Sequence, residues 1–212
     1  MELASIAILA GGKSSRFEGQ DKQKALFLGK PLGRRVASQA LLAGCRVVVV
    51  GQEKELYADL PVQVVPDRLI GCGPLSGLHA ALRETSSPWV YLMACDMPFF
   101  SLPWFSHLLG LAEAVGSGRE GPKAIAAARE GRIEPFHALY SASLASDLER
   151  FLDDAVRKGE GRALSFHRFV KARSWLEVPE QDALGILGGW SLFSGANDRE
   201  SLSSLERISP GL

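Results

Sequence analysis

The chain has 212 residues, of which 46% are hydrophobic and 23% are charged, a composition that excludes wholesale disorder. Its 24 lysines and arginines balance 24 aspartates and glutamates, so we expect no nucleic acid partner, because coating nucleic acid requires a basic surplus. We expect residues 1–212 to form a single domain. No apolar run approaches the ~18 residues of a membrane span, so we expect no membrane partner and a cytoplasmic protein.

The cysteines and histidines predict neither a disulfide framework nor a built-in zinc site. Cys45, Cys72 and Cys95 are odd in number and far apart, as is typical of proteins in a reducing compartment. The four histidines form no His-x-x-x-His pair, a spacing that is the usual sign of zinc ligands on a helix. We interpret His137 as a satisfied, partly buried histidine rather than a catalyst.

Short, continuous apolar runs alternate with helical segments along the chain. Such runs are typical of strands buried on both faces, as in a parallel sheet covered by helices. The predicted strands are 6–10, 47–50, 62–65, 89–94 and 124–128. The predicted helices are 31–43, 75–84, 102–115, 144–158 and 199–207, the last one capped by Asn197 and Asp198. The alternation predicts an α/β fold, a three-layer sandwich with a mostly parallel sheet.

The carboxyl ends of the predicted strands indicate where a ligand binds. In sheets of this kind, ligands lie in the crevice outside those ends. Three junctions fall there: the glycines from Gly11 onward, Gly51, and Asp96. We therefore expect the functional residues to cluster around these three positions.

The first junction combines a glycine turn with a basic loop. Gly11 and Gly12 let the backbone turn tightly and bring N–H groups against a phosphate or a base. Positive charge follows within a short span, from Lys13, Arg16, Lys22, Lys24 and Lys30. Composition alone is equally consistent with a solvated basic turn. A Walker A loop is excluded, because the earlier glycine of that motif falls on Ala7.

The third junction carries a carboxylate, Asp96, at the end of an apolar strand that Pro98 terminates. A carboxylate there can hold Mg²⁺ against phosphate oxygens, since Mg²⁺ takes one or two carboxylates plus substrate phosphates. The alternative is a turn aspartate or a helix N-cap. The neighbouring Cys95 has no adjacent basic partner and is better explained as a small buried residue than as a nucleophile.

Taken together, these segments resemble the molybdenum cofactor guanylyltransferases (MobA-type), within the larger set of nucleotidyltransferases. The opening block reads LAGGKSSRF and the Asp96 block reads CDMPF. The matching blocks follow in order over nearly the whole chain: 9–17, 21–32, Asp67 with 73–78, 95–99, 132–140, and more faintly 161–164 and Asn197. The resemblance implies a Rossmann-like nucleotidyltransferase fold. It also implies transfer of GMP from GTP to the terminal phosphate of molybdenum-bound molybdopterin, with release of pyrophosphate.

The same resemblance implies a role for each matching residue. The nucleotide side would comprise Leu9, Ala10, Gly11, Gly12, Lys22, Lys24, Gly51, Asp67 and Asp96. The acceptor side would comprise Gly73, Pro74, Glu134, Pro135, Arg162 and Asn197. The catalytic residues would be Arg16, Lys22 and Asp96, with Asp96 as the ligand of the Mg²⁺ cofactor. No residue in the set looks like a covalent nucleophile, so we expect direct in-line attack by the acceptor phosphate.

Three positions depart from the family pattern. The family usually has one lysine after the aspartate of the basic loop, whereas this chain has two. Counting back from 29–31 favours Lys22 as the nucleotide lysine, the local Lys-Ala-Leu pattern favours Lys24, and we prefer Lys22. Gly51 and Gly195 stand where the family often has asparagine, which leaves base selectivity and the acceptor contacts open.

Two other interpretations keep the same fold. One is a cytidylyltransferase that acts on the same pterin or on a sugar phosphate and uses the same site. Comparing GTP with CTP as a thermal stabiliser would distinguish it from a guanylyltransferase. The second interpretation is a non-catalytic nucleotide-binding homologue. The presence of Asp96 together with Arg16 and Lys22 favours an enzyme over this interpretation. GTP and molybdopterin-type molecules are the expected substrates. A molybdoenzyme or a cofactor-insertion protein is the partner that a labile product would suggest.

Overall fold

A mixed, mostly parallel sheet forms the centre of the computed structural model, which describes residues 2–11, 21–67, 69, 72–116, 120–160 and 164–208. In chain order the strands are β1 (Ala4–Leu9), β2 (Leu26–Phe27), β3 (Lys30–Pro31), β4 (Val47–Val50), β5 (Gln63–Val65), β6 (Trp89–Ala94), β7 (Ala124–Arg129), β8 (Arg132–Ile133), β9 (Ala138–Ser141) and β10 (Trp175–Val178). The central sheet has the order β10-β7-β9-β6-β1-β4-β5, with β8 beside β7, while β2 and β3 form a separate hairpin.

Helices cover both faces of this sheet. In chain order they are α1 (Leu32–Leu41), α2 (Pro74–Glu84), α3 (Leu102–Val115), α4 (Ala145–Arg157), α5 (Phe166–Lys171), α6 (Glu180–Leu187) and α7 (Arg199–Ile208). The core on one face includes side chains of α1, α3 and α6, and the core on the other includes side chains of α2, α4 and α5. None of the helices in the described ranges combines the length and the apolar character needed to cross a bilayer.

The two cores explain why the strands are apolar throughout. Along β1, Ile6 and Ile8 face the α1 side, whereas Ala7 and Leu9 face the α2 side. Alternate residues of a strand point to opposite faces, so a strand covered on both sides must be apolar at every position. Each fully buried Ile or Leu side chain contributes about 1.5–3 kcal/mol of transfer free energy. The predicted three-layer α/β sandwich is confirmed.

The predicted elements agree best where the hydrophobic pattern is strong. β4, β6 and α3 have the predicted bounds, and α7 extends one residue beyond its prediction. β9 and β10 were missed, because neither is a strong apolar run. β9 is antiparallel to both of its neighbours, β6 and β7, an exception in a sheet whose other long pairings are parallel.

The C-terminal helix packs on the β2–β3 hairpin rather than on the central sheet. A third core joins Phe27 and Leu32 to Leu202 and Leu205 of α7, and buries Ala196 completely. The Glu206 carboxylate accepts a hydrogen bond from the backbone N–H at the hairpin tip, residue 28, over 2.7 Å. This packing fixes the segment before α7 next to the carboxyl edge of the sheet.

Candidate active site

The carboxyl ends of β1, β4, β5 and β6 lie along one edge of the sheet, because these four strands are parallel. The Ala10 N–H donates to the Val50 carbonyl and the Cys95 N–H donates to the Leu9 carbonyl, both over 2.9 Å. These bonds extend the ladders one residue beyond β1 and β6. Asp96 follows directly, so the structure brings this carboxylate to the edge where the first strand ends.

The junctions after β1 and β4 touch each other. A Cβ atom on Gly51 would lie 3.3 Å from the Ala10 Cβ, so the missing side chain lets these two strand ends approach closely. On the α2 side, Gly77 leaves room for the Leu9 side chain, whose Cδ2 would come within 2.8 Å of an added Cβ. Leu9, Ala10, Gly11 and Gly51 therefore form one continuous backbone surface at this edge.

Lys22 and Asp96 form an ion pair at the same edge. The Lys22 Nζ lies 3.1 Å from Asp96 Oδ2, and the two side chains are 24% and 23% exposed. Lys22 belongs to a short 3₁₀ turn, Lys22–Lys24, which enters the β2–β3 hairpin. The structure thus joins a residue of the basic loop to the strand-end carboxylate across 74 positions of sequence.

Lys24 points to a different carboxylate. Its Nζ lies 2.7 Å from Glu53 Oε2, and the two side chains are 52% and 37% exposed. The hydrogen bond that the Lys24 ammonium donates to the Glu53 carboxylate raises the pKa of Lys24. Of the two lysines that the sequence left in competition, Lys22 is the one paired with Asp96.

The turn that carries Lys22 rests on buried polar side chains. Asp21 caps it, with Oδ1 accepting from the Gln23 N–H over 3.2 Å. Gln23 is 2% exposed, and its amide donates to Asp21 Oδ2 over 2.8 Å. Tyr57, also 2% exposed, donates its hydroxyl hydrogen to Gln23 Oε1 over 2.9 Å. The sequence analysis missed Gln23 and Tyr57, because only the tertiary structure reveals that these polar groups are buried together.

The segment before α7 also contacts Asp96. The Ala196 N–H donates to the Asp96 carbonyl over 2.7 Å. A Cβ atom on Gly195 would lie 3.8 Å from that carbonyl oxygen and 3.9 Å from Asp96 Oδ1. Asn197 follows, with its backbone N–H bonded to the Ser201 hydroxyl over 2.9 Å. An open pocket of about 410 Å³ lies between Gly195 and the first turns of α7.

Asp67 lies after β5, held by the start of α2. Its Oδ1 accepts hydrogen bonds from the Ser76 hydroxyl and, over 3.4 Å, from the Leu69 N–H. Gly73 precedes the helix with φ of +62°, a backbone angle that glycine adopts without strain. Pro74 then occupies the first helical position, where a missing N–H costs nothing.

Glu134 and Pro135 lie between β8 and β9. The Glu134 N–H donates to the Ala127 carbonyl over 2.9 Å, and the Pro135 carbonyl accepts from the Tyr140 hydroxyl over 2.8 Å. Burial raises the pKa of the Glu134 carboxyl, opposed by the positive charge of Arg129. Because β9 runs antiparallel to β6, this segment lies at the same edge as Asp96.

His137, at the start of β9, is more buried than the sequence suggested. It is fully buried, its Nδ1 lies 3.1 Å from the Tyr91 hydroxyl, and its Nε2 has no hydrogen-bond partner in the described part of the chain. Burial lowers the pKa of His137 to about 3. The histidine is therefore neutral at physiological pH, and the expectation of a partly buried, satisfied side chain was wrong.

The Cys95 thiol, beside Asp96, does not have the environment of a nucleophile. It is buried, and burial together with the Asp96 charge raises its pKa far above the usual range. A thiol of this kind stays protonated at neutral pH, whereas the thiolate is the reactive form. The sequence-based interpretation of Cys95 as a small buried residue is confirmed.

A divalent cation fits the donor set at this edge. Among the described residues, no group of three His, Cys, Asp or Glu side chains is arranged as a metal cage. Mg²⁺ does not need such a cage, since one carboxylate is enough when substrate phosphates and water supply the other oxygens. Asp96, whose side chain is about a quarter exposed, meets that requirement.

Three of the predicted site residues, Gly12, Arg16 and Arg162, lie outside the described residues. Leu9, Ala10, Gly11 and Gly51 lie at the ends of β1 and β4, and Lys22 pairs with Asp96 at the end of β6, whereas Lys24 pairs with Glu53. Glu134 and Pro135 lie between β8 and β9, and Asn197 lies just before α7. Asp67, Gly73 and Pro74 lie between β5 and the first turn of α2.

Solved structures with this fold include nucleotidyltransferases. The structure of molybdopterin-guanine dinucleotide biosynthesis protein A from Archaeoglobus fulgidus has a TM-score of 0.76 and 25% identity, covering 96% of this chain and 97% of that one. A 4-diphosphocytidyl-2C-methyl-D-erythritol synthase from Anaerococcus prevotii shares the fold alone, with a TM-score of 0.62 and 11% identity over 97% of each chain. The chain is therefore an enzyme of the α/β nucleotidyltransferase class.

Within that class, residues 6–172 match the family described as the MobA-like NTP transferase domain, and the chain belongs to this family. The molybdenum cofactor guanylyltransferase of Syntrophotalea carbinolica is 34% identical over 213 residues, which cover 100% of this chain and 95% of that protein. The resemblance inferred from the sequence motifs is confirmed at the level of the family.

Proposed function

We propose that this nucleotidyltransferase transfers GMP from GTP to the terminal phosphate of molybdenum-bound molybdopterin and releases pyrophosphate. The observation that carries the proposal is the contact of an ammonium, Lys22, with a carboxylate, Asp96, at the carboxyl edge of the sheet. The name of the Syntrophotalea carbinolica relative supports guanine as the base and the pterin as the acceptor.

On the nucleotide side, the backbone at Leu9, Ala10, Gly11 and Gly51 would receive the nucleoside. Because Gly11 and Gly51 carry no side chains, a base could approach this backbone closely. Asp67, whose carboxylate is already oriented by Ser76, would accept hydrogen bonds from the ribose or the base. Lys22 would bind the phosphates, and Asp96 balances its charge until the nucleotide arrives.

Asp96 is the residue that would hold a Mg²⁺ ion. When bound, such an ion withdraws charge from the phosphoryl oxygens and so reduces repulsion between the two anionic substrates. Lys22 offsets further negative charge from the same edge, and its ammonium keeps the triphosphate in a fixed orientation. Arg16, which lies outside the described residues, stays a prediction as a third cationic group.

On the acceptor side, Glu134, Pro135 and Asn197 would contact the pterin phosphate, together with Gly73 and Pro74. The open pocket lined by Gly195 and the start of α7 supports this assignment, because a Cβ atom on Gly195 would lie within 4 Å of Asp96. Gly195 contributes no side-chain donor, so recognition here would depend on the backbone and on Asn197. The buried, protonated thiol of Cys95 supports direct in-line attack by the acceptor phosphate rather than a covalent enzyme intermediate.

The test is pyrophosphate release from GTP with Mg²⁺ and molybdopterin-loaded acceptor, with CTP in a parallel reaction. We expect release with GTP, little with CTP, and loss of release in Asp96→Asn. Release with CTP instead would favour a cytidylyltransferase of the same fold. Binding of GTP without any release, in folded protein, would favour the non-catalytic homologue and contradict the proposal.

The cellular setting also stays a prediction. We propose a cytoplasmic enzyme that passes its product to a molybdoenzyme or to a cofactor-insertion protein. Cys45, Cys72 and Cys95 are all free thiols, which supports a reducing compartment. The interpretation of residues 1–212 as one domain is likewise a proposal.

A further inference from the structure

The 3₁₀ turn that carries Lys22 is linked to a second 3₁₀ turn, Lys54–Tyr57, which follows β4. Tyr57 of the second turn donates its hydroxyl hydrogen to Gln23 over 2.9 Å, and both side chains are 2% exposed. Burial raises the pKa of Tyr57, so its hydroxyl remains protonated and able to donate. A buried hydrogen bond between two neutral side chains is costly to break, because either group alone would lack a partner.

Gln23 transmits this contact to the backbone on both sides of Lys22. Its own N–H is bonded to Asp21 Oδ1 over 3.2 Å, and its side-chain amide holds Asp21 Oδ2 over 2.8 Å. Lys22 lies between these two residues, so its Cα position is fixed from both directions. A lysine side chain has a flexible four-carbon stem, and fixing the start of that stem limits the positions that Nζ can reach.

The hydrogen bond between Tyr57 and Gln23 is closely packed against α1. A Cβ atom on Gly33 of α1 would overlap the Tyr57 hydroxyl and would lie 2.9 Å from the Gln23 Cβ. A second link between the same two turns comes from the ion pair of Lys24 with Glu53, over 2.7 Å. Three elements, the two turns and α1, therefore meet at the Tyr57 hydroxyl.

We propose that Gln23 and Tyr57 are positioning residues, which hold the Lys22 ammonium against Asp96 so that it is oriented for a nucleotide phosphate. Both side chains are 2% exposed, so neither is accessible to a nucleotide and each would act through Lys22. The consequence for nucleotide binding rests on the function proposed above, whereas the positioning of Lys22 does not.

The first test is a thermodynamic cycle with Tyr57→Phe, Lys22→Met and the double variant, measured as the dissociation constant for Mg²⁺-GTP. We expect Tyr57→Phe to weaken binding about two- to tenfold, the factor that corresponds to one hydrogen bond. In the Lys22→Met background the same change should have no further effect, because Tyr57 acts through Lys22. Equal losses in the two backgrounds would overturn the proposal.

Tyr91→Phe is the matched control. Tyr91 also buries a hydroxyl, which lies 3.1 Å from His137 Nδ1, so its removal costs comparable stability without touching the Lys22 turn. We expect Tyr91→Phe to bind Mg²⁺-GTP like the wild type. A loss as large as that of Tyr57→Phe would indicate general destabilisation and would refute a positioning role.

The second test measures Lys22 without any nucleotide. The rate of acetylation at Lys22 is compared with that at the exposed Lys30, by mass spectrometry of the intact fold after brief labelling. Tyr57→Phe and Gln23→Met should each raise the Lys22 rate severalfold, while Tyr91→Phe leaves it unchanged. An unchanged Lys22 rate would contradict the positioning itself. If the variants alter the Lys22 acetylation rate but the wild-type protein binds no Mg²⁺-GTP, only the proposed function is contradicted. The failure of the positioning proposal and the failure of the proposed function are therefore distinguishable.

Discussion

The Lys22 ammonium lies 3.1 Å from the Asp96 carboxylate, with both side chains about a quarter exposed, at 24% and 23%. A pair at this depth is accessible to an incoming phosphate or cation and yet is partly shielded from water, which strengthens its electrostatic interactions relative to those on the surface. The two opposite charges balance each other and can each bind a different part of a metal-bound triphosphate.

Asp96→Asn should abolish most of the transferase activity while the fold is kept. Asparagine has the same shape but lacks the charge that a divalent cation needs, and losing one such electrostatic contribution typically lowers kcat about 10²- to 10³-fold. Rates of pyrophosphate release as a function of Mg²⁺ concentration, with thermal melting as the check on folding, would measure this. A variant with the wild-type rate and the wild-type Mg²⁺ dependence would exclude Asp96 as the metal ligand.

Lys22→Met should weaken nucleotide binding, whereas Lys24→Met should leave it near the wild-type value. Of these two lysines, Lys22 is paired with Asp96, whereas Lys24 is more exposed and is paired with Glu53. The loss at Lys22 should be about tenfold or more, because a charge-assisted contact to phosphate contributes about 1.5–3 kcal/mol. Titration calorimetry with GTP on both variants provides the comparison, and equal losses would contradict the assignment.

Gly33→Ala should destabilise the protein by about 1–3 kcal/mol, because the new methyl group overlaps the Tyr57 hydroxyl and crowds Gln23. Gly110→Ala in α3 is the matched control, since a Cβ there meets nothing within 4 Å. Alanine is the better helix former, so the control should gain about 0.5–1 kcal/mol. Urea unfolding at neutral pH measures both changes, and equal effects of the two substitutions would disprove the close fit at Gly33.

Burial of His137 should make the protein less stable in mild acid. Its folded-state pKa of about 3 lies below the 6.5 of an ordinary histidine, so the unfolded chain binds the extra proton first as the pH falls. The contribution of the neutral, buried His137 to the free energy of unfolding is fully present above pH 6.5. It is lost progressively as the pH falls to about 3. Between pH 7.5 and pH 5 it amounts to about 2 kcal/mol.

His137→Asn removes the titrating group at the position where φ is +53°, a backbone conformation that asparagine tolerates. The free energy of unfolding of this variant should therefore fall less between pH 7.5 and pH 5 than that of the wild type. Urea titrations at the two pH values give the difference. The same fall in both proteins would assign the acid sensitivity to other groups.

The sequence alone determined the layers of the fold and the identity of the strand-end residues. The continuous apolar runs of β1, β4 and β6 predict burial on both faces, because no alternating strand could be covered by helices on two sides. Asp96 and Gly51 were found in the same way, since the carboxyl end of a buried parallel strand is where such sheets bind ligands. The family was inferred from motifs that occur in order along the chain, and these can be identified without a structure.

Tertiary structure alone decided which of these residues meet. Lys22 and Lys24 are two positions apart in one basic loop, and local sequence assigns them the same chemistry. Which of the two lysines contacts Asp96 depends on the buried hydrogen bond between Gln23 and Tyr57, which orients the turn. It also depends on Glu53, which pairs with Lys24. Ala196 likewise reaches the Asp96 carbonyl only because α7 packs on the β2–β3 hairpin. Contacts of this kind join residues that are distant along the chain, and their burial and direction arise from packing that no local pattern encodes.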